Sequence, residues 1–377
     1  MRLVGRARSR RAAVSRVALG VALLTTLLAC ASPVPPSPTE TPSPVADGSS
    51  PTADSSPSPT GAVSPSASAS AELGPAVAAE PYDGVFAPHG VAFTDARNGL
   101  IAGDSGGTDR AIVGTTRDGG RSWKFAALNR PGLLDVAAAG DRAWVVVGCA
   151  PDDPPECRPS LLRSDDGGAT WRALPGASYI APSFRDAVHG WAIDQSSLAT
   201  TGRAAIVATD DGALHWRPIA APCPPGPEPP ARVGLFPDGK GWVVCAGDAA
   251  AGSQGKAILA TVDGGTTWQA LSFVGFQGGQ IGRLPLGGII QAAGIVPAAT
   301  GLLGTSHGSF RTTDGGRTWQ ELSFGDPESH MIDAVSLVDA RSGYILLREF
   351  ETTREALFAT ADGGATWRRI IGWSFPP

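Results

Sequence analysis

Five histidines (His89, His189, His215, His307 and His330) and five cysteines (Cys30, Cys149, Cys157, Cys223 and Cys245) are the side chains here that most readily hold a metal. Zinc sites need pairs at spacings such as His-x-x-x-His or Cys-x-x-Cys, and neither spacing occurs, so no metal and no other cofactor is expected. Asp152 and Asp153 are followed by Pro154 and Pro155, which reads as a charged turn. Ser105 lies in the glycine-rich string Gly103-Asp104-Ser105-Gly106-Gly107, so a serine nucleophile has to be considered. Acyl transfer by serine also needs a histidine base and an aspartate to orient it, and only His89 precedes Ser105. No catalytic set is therefore expected, and the chain should not react with fluorophosphonates.

The elements that must position any site come from an internal repeat. One motif recurs six times: TRDGGRSW, SDDGGATW, TDDGALHW, TVDGGTTW, TTDGGRTW and TADGGATW, with aspartates at Asp118, Asp166, Asp211, Asp263, Asp314 and Asp362. A weaker motif precedes each (FTDARNGL, VAAAGDRAW, FRDAVHGW, LFPDGKGW, IVPAATGL, LVDARSGY) and places a bulky residue at Leu100, Trp144, Trp191, Trp242, Leu302 and Tyr344. Each unit reads as four short strands in a period of about 48 residues, the pattern of a propeller blade. Residues 82–377 then form an all-β, six-bladed β-propeller. The irregular stretch between Trp268 and Leu302 leaves room for a seventh blade. In each box the aspartate accepts backbone N–H groups of its own turn, the glycine takes positive φ, and the tryptophan is core.

Boxes of the form S/T-x-D-x-G-x-T-W resemble those of sialidases, sortilin-type receptors, xyloglucan-degrading glucanases and the photosystem II assembly factor family. The upstream HGW and KGW look most like the last of these and its bacterial relatives. The resemblance implies a propeller whose boxes are structural and whose function lies elsewhere, in aiding assembly of a membrane or envelope complex. A sialidase-like exo-glycosidase is the alternative. That chemistry needs three arginines on a carboxylate, a tyrosine activated by a glutamate, and an aspartic acid. Only Tyr82, Tyr179 and Tyr344 are present, Tyr344 fills a repeat position, and no Arg-Ile-Pro motif stands near the first blade.

In a four-stranded meander the first and third turns share one edge of the sheet, and the second turn and the link to the next blade share the other. The boxes occupy the first edge. The second collects the variable segments 104–110, 149–159, 194–203, 222–230, 247–255, 274–288 and 348–355, with all four cysteines of the folded part. Cys149 can then pair with Cys157, and Cys223 with Cys245. Loops on a rigid scaffold are where binding residues concentrate, and Arg110, Arg158, Arg203, Arg283 and Arg354 make this edge the candidate binding face. They stand among Asp152, Asp153, Glu156, Glu228, Glu351 and Glu355.

The N-terminus sets the location. Residues 1–29 carry six arginines in the first sixteen positions and then the apolar run Val17–Ala29, the layout of a signal peptide. Leu27-Leu28-Ala29-Cys30 resembles a lipobox, which implies lipidation of Cys30. Residues 30–81 are rich in Pro, Ser, Thr and Ala, too polar to offset their ordering entropy, and read as a disordered linker. Without the signal arginines, 24 basic residues face 35 acidic ones, the wrong sign for a nucleic-acid binder. The expectation is a monomeric, exported, non-enzymatic propeller, lipid-anchored on the outer face of the cell membrane, with a protein or glycan partner.

Overall fold

The computed structural model describes residues 73–106, 110–148, 159–176, 178–196, 204–219, 222–223, 229–276, 279–324, 330–349 and 354–374, all within one compact unit, Ala67–Pro377. They form six antiparallel sheets and a six-bladed β-propeller. Blade 1 comprises Ala87–Phe93, Gly99–Asp104, Arg110–Thr116 and Lys124–Pro131; blade 2, Leu133–Ala139, Arg142–Val147, Ser160–Ser164 and Thr170–Ala173; blade 3, Tyr179–Phe184, Gly190–Asp194, Ala205–Thr209 and Arg217–Pro218. Blade 4 comprises Pro230–Leu235, Gly241–Ala250, Ser253–Thr261 and Gln269–Val274; blade 5, Ile290–Ile295, Gly301–Thr305, Gly308–Thr312 and Gln320–Leu322; blade 6, His330–Leu337, Gly343–Glu349, Arg354–Thr360 and Arg368–Ser374. The first strand of each blade is innermost, and each inner strand packs on the next around a closed ring.

No seventh sheet lies between Trp268 and Leu302 among the described residues. Instead Gln280–Ile281 adds a fifth strand to blade 4. The chain then returns past Lys256, which is fully buried. Its ammonium donates to the carbonyls of Gln254, Pro285, Leu286 and Gly287 at 2.9–3.3 Å, while burial pushes its pKa down to about 8.

Each Asp box builds the same hydrogen bonds around its aspartate, while the tryptophan Nε1 bonds its own turn in blades 1, 2, 4 and 5 and has no partner among the described residues in blades 3 and 6. In blade 1, the Thr116 hydroxyl donates to Asp118 and accepts from Gly120 N–H, Asp118 accepts Ser122 N–H and Oγ–H, and Trp123 Nε1 donates to Gly120 O at 2.9 Å. Blade 3 replaces the second glycine by Ala213, which holds φ at 75°. In blades 1 and 6 the upstream motif is an Asx turn: Asp95 accepts Arg97 and Asn98 N–H, and Asp339 accepts Arg341 and Ser342 N–H, at 2.7–2.8 Å.

These turns also lock neighbours together. Trp144 of blade 2 stacks on Phe184 of blade 3, with centroids 3.5 Å apart, and Tyr344 of blade 6 stacks on Phe93 of blade 1 at the same distance. The second stack closes the ring without a shared strand. It is reinforced by Tyr344 Oη donating to Ala96 O and Phe93 N–H to Ser336 Oγ.

Hydrogen bonds from Ser122, from the Ser122 backbone and from Thr116 hold the Asp118 carboxyl down to about 2, and Asp263 is held at about 2 by Thr267 and Thr261 in the same way. A depressed carboxylate stabilises the fold fully above its ordinary value and loses that contribution as pH falls through the folded value. With six boxes acting alike, the thermal midpoint should hold down to about pH 4 and fall steeply between about 4 and 2. A midpoint unchanged at pH 2 would contradict the network.

Ahead of blade 1, Val77–Ala78 pairs with the outer strand of blade 2 and Glu80–Pro81 with the outer strand of blade 1. The sheets thus begin a few residues before Tyr82. The described residues include one disulfide, Cys223–Cys245, with Cα atoms 5.7 Å apart, linking the approach to blade 4 with the middle of its second strand. Cys30, Cys149 and Cys157 lie outside the described residues.

Candidate functional site

The site begins with a backbone irregularity. In five inner strands the register slips at one place, two to three residues beyond the bulky residue of the upstream motif, so that His89, Leu134, Ala231, Gln291 and Asp333 are inserted. Blade 3 slips one step further along, at 181–182, where Ala181 takes φ 48°. A bulge leaves its residue out of the ladder and re-aims the side chain. Repeated around the ring near the edge away from the Asp boxes, the bulges gather polar groups at one mouth of the propeller axis.

His89, Asp135, Arg232, Gln291 and Asp333 line a cavity of about 130 Å³ there. One apolar residue per blade (Val91, Val136, Pro182, Val233, Ala293, Val335) lines both this cavity and one of about 290 Å³ at the Asp-box end. Arg232 donates to Ala231 O at 2.9 Å and Gln291 O at 3.1 Å, and Asp135 Oδ2 accepts Ala181 N–H. The scaffold thereby fixes the side chains of two of the five, Arg232 and Asp135.

Beside the mouth, across the seam where blade 6 meets blade 1, the groups are charged and buried. Arg348 binds Asp333 and lies 3.6 Å from Glu355 Oε1, and the two carboxyl side chains are only 7% and 6% exposed. Asp333 Oδ1 and Glu355 Oε2 are buried with no partner among the described residues. Facing them in blade 1, His89 Nε2 lies 2.7 Å from Asp104 Oδ2. Burial, then the charges of Asp333 and Asp104, push the Glu355 carboxyl up to about 8 against the pull of Arg348, and burial raises Asp333. A carboxyl raised above its unfolded value of 4.5 binds a proton on folding, so its contribution falls as pH climbs from 4.5 towards 8. Glu355→Gln should therefore flatten a decline in unfolding free energy between about pH 5 and 8. An identical decline in the variant would place its cause elsewhere.

Of the sequence-predicted arginines, Arg110 starts the third strand of blade 1 and pairs with Glu80 at 2.5 Å, while Arg354 is exposed at the start of the third strand of blade 6, next to Glu355. Both stand at the expected edge. Arg283 does not: its N–H donates to Arg317 O and its carbonyl accepts Trp319 N–H, so it sits against the Asp box of blade 5. The reason is the return strand Gln280–Ile281, which carries the chain back along blade 4. Arg158 and Arg203 lie outside the described residues.

The serine string is a structural turn. A Cβ on Gly103 would come within 1.8 Å of Ala87 O, Asp104 Oδ1 accepts Gly106 N–H at 2.7 Å, and Gly106 takes φ 63°. Gly103→Ala would force the first two strands of blade 1 apart, and we expect a loss of about 3 kcal/mol or more, read from urea unfolding. Full stability would mean that the strands tolerate the separation.

Among the described residues no three His, Cys, Asp or Glu side chains gather as metal ligands would. What the mouth offers is charge and hydrogen bonding. Sequence reasoning passed over His89, Asp135, Arg232, Gln291, Asp333 and Arg348 as a group because they lie on inner strands far apart in the chain.

No family model matches the chain, and no curated protein does. Among solved structures, it resembles YCF48 bound to D1 peptide (18% identity, TM-score 0.45, covering 78% of this chain and 83% of that one). It also resembles the GH74 xyloglucanase of Xanthomonas campestris (15%, TM-score 0.49, 79% of this chain and 47% of that) and the Hadza microbial sialidase Hz136 (18%, TM-score 0.42, 70% and 63%). None of the three bears on what this chain binds or does.

Proposed function

We propose that the chain is a non-enzymatic binding and scaffold propeller of the cell envelope, which takes a protein partner at the axial mouth and the loops around it. One observation carries the reading: bulges repeated in the inner strands aim polar groups from different blades into one mouth, on the edge away from the repeated boxes. Packing alone does not call for His89, Asp135, Arg232, Gln291 and Asp333 at a common point. Fixed polar groups in a concave mouth are what recognition needs. The location rests on the arginine-rich N-terminus, the apolar run and Cys30, and the role in assembling a membrane complex is this reading's extension of it.

The test is photo-crosslinking in cells that carry the full lipidated chain. A photoreactive residue at position 354, beside the mouth, should trap a defined protein, whereas one at position 240, on the Asp-box edge, should not. Equal trapping at both positions, or none at 354, would remove the binding reading. Turnover of a sialoside or a β-glucan by the purified chain, lost in Glu355→Gln, would replace it with the glycosidase alternative.

A further inference from the structure

We propose that the axial cavity receives the guanidinium of an arginine side chain presented by the protein partner. The inference deepens the binding reading above and rests on it. Around the mouth stand Asp104, Asp135, Asp333 and a Glu355 that holds its proton at neutral pH, with His89, Arg232 and Arg348 among them. Arg232 is committed to two backbone carbonyls. Arg348 is shared between Asp333 and Glu355, and is itself 45% exposed at the rim. Asp135, which lines the cavity, accepts only a backbone N–H and has no ionic partner among the described residues, so its charge is left for a cation.

A second observation points the same way. Asp333 lines the cavity, its side chain is more than nine-tenths buried, one oxygen is held by Arg348, and Oδ1 has no partner among the described residues. A buried carboxylate oxygen without a donor costs free energy, which an incoming N–H group recovers. Asp135, Gln291 and Asp333 come from three blades, so their acceptors converge on a ligand from several directions. A planar group with five N–H donors matches such an arrangement better than a compact ammonium does. The cavity has room for a side-chain tip, and the apolar collar of six residues lies beneath it.

The experiment titrates the full lipidated chain in detergent against a fluorescent acetyl-Gly-Gly-Arg-Gly-Gly peptide and its citrulline counterpart, which keeps the shape and drops the charge. Anisotropy should show the arginine peptide binding at least tenfold more tightly, roughly the effect of one charge-assisted hydrogen bond. Asp333→Asn and Asp135→Asn should each remove most of that preference. If Asp333→Asn does not fold, Asp135→Asn carries the test, because asparagine keeps an acceptor for Ala181 N–H. Equal binding of the two peptides, or a preference untouched by a folded variant, would overturn the proposal. Agmatine binding as tightly as the peptide would overturn its assignment to a protein partner. Failure here with crosslinking at position 354 intact would leave the binding reading standing, and loss of both would not.

Discussion

Replacing Arg348 with methionine is expected to lower the unfolding free energy by about 2–4 kcal/mol at pH 8, and by much less at pH 5. Asp333 and Glu355 are almost wholly buried and share Arg348 as their cation. Removing one partner of a buried pair typically costs about 3–5 kcal/mol, because the remaining charge has neither water nor counterion. The figure is set lower here because Arg348 is 45% exposed and screened by solvent. The pH dependence has a definite sign. Without the guanidinium both carboxyls hold their protons more firmly in the fold, so the folded chain binds more protons than the unfolded one and the penalty grows as pH rises. Urea denaturation at the two pH values measures it. Adding Asp333→Asn and Glu355→Gln should restore most of the loss. A penalty independent of pH would show that Arg348 acts through packing instead.

Trp144→Ala should cost about 3–5 kcal/mol and lower the melting temperature by roughly 6–15 °C. The ring is fully buried, and it lies parallel to Phe184 of the next blade, with 2° between the planes. Substitution removes the filling of a close-packed interface and leaves a cavity that the surrounding strands cannot collapse around. Trp268, only half-buried and with its Nε1 bonded to Gly265 O within its own turn, should cost less. Equal losses at the two positions would mean that the turn, not the contact between blades, dominates.

How legible the chain was depends on how local each feature is. The boxes could be read directly, because Thr116, Asp118, Gly120 and Trp123 form their hydrogen bonds within eight residues, and local chemistry leaves a local signature. The blade count followed from that spacing. The mouth could not be read, because a bulge carries no residue preference: His89, Gln291 and Asp333 share a backbone position and nothing else. The place of Arg283 could not be read either, because Phe273 and Val274 pair with a strand running back that no repeat motif marks. One signal was available and unused. Lys256, one of three lysines in the chain, heads the apolar run AILA in the strand SQGKAILAT, where a buried cation implies a set of carbonyls to receive it.

The two short strands ahead of blade 1 have a mechanical consequence. Gly74, Val77, Ala79, Glu80 and Tyr82 are attached in order along the outer rims of blade 2 and then blade 1, while the seam that closes the ring lies between blades 6 and 1. A force drawing residues before Leu73 outward from the rim is met by these attachments one at a time. Each yields at about 1 kcal/mol before any load reaches the Phe93–Tyr344 stack. The strap would act as a fuse, giving several residues of slack while the ring stays shut.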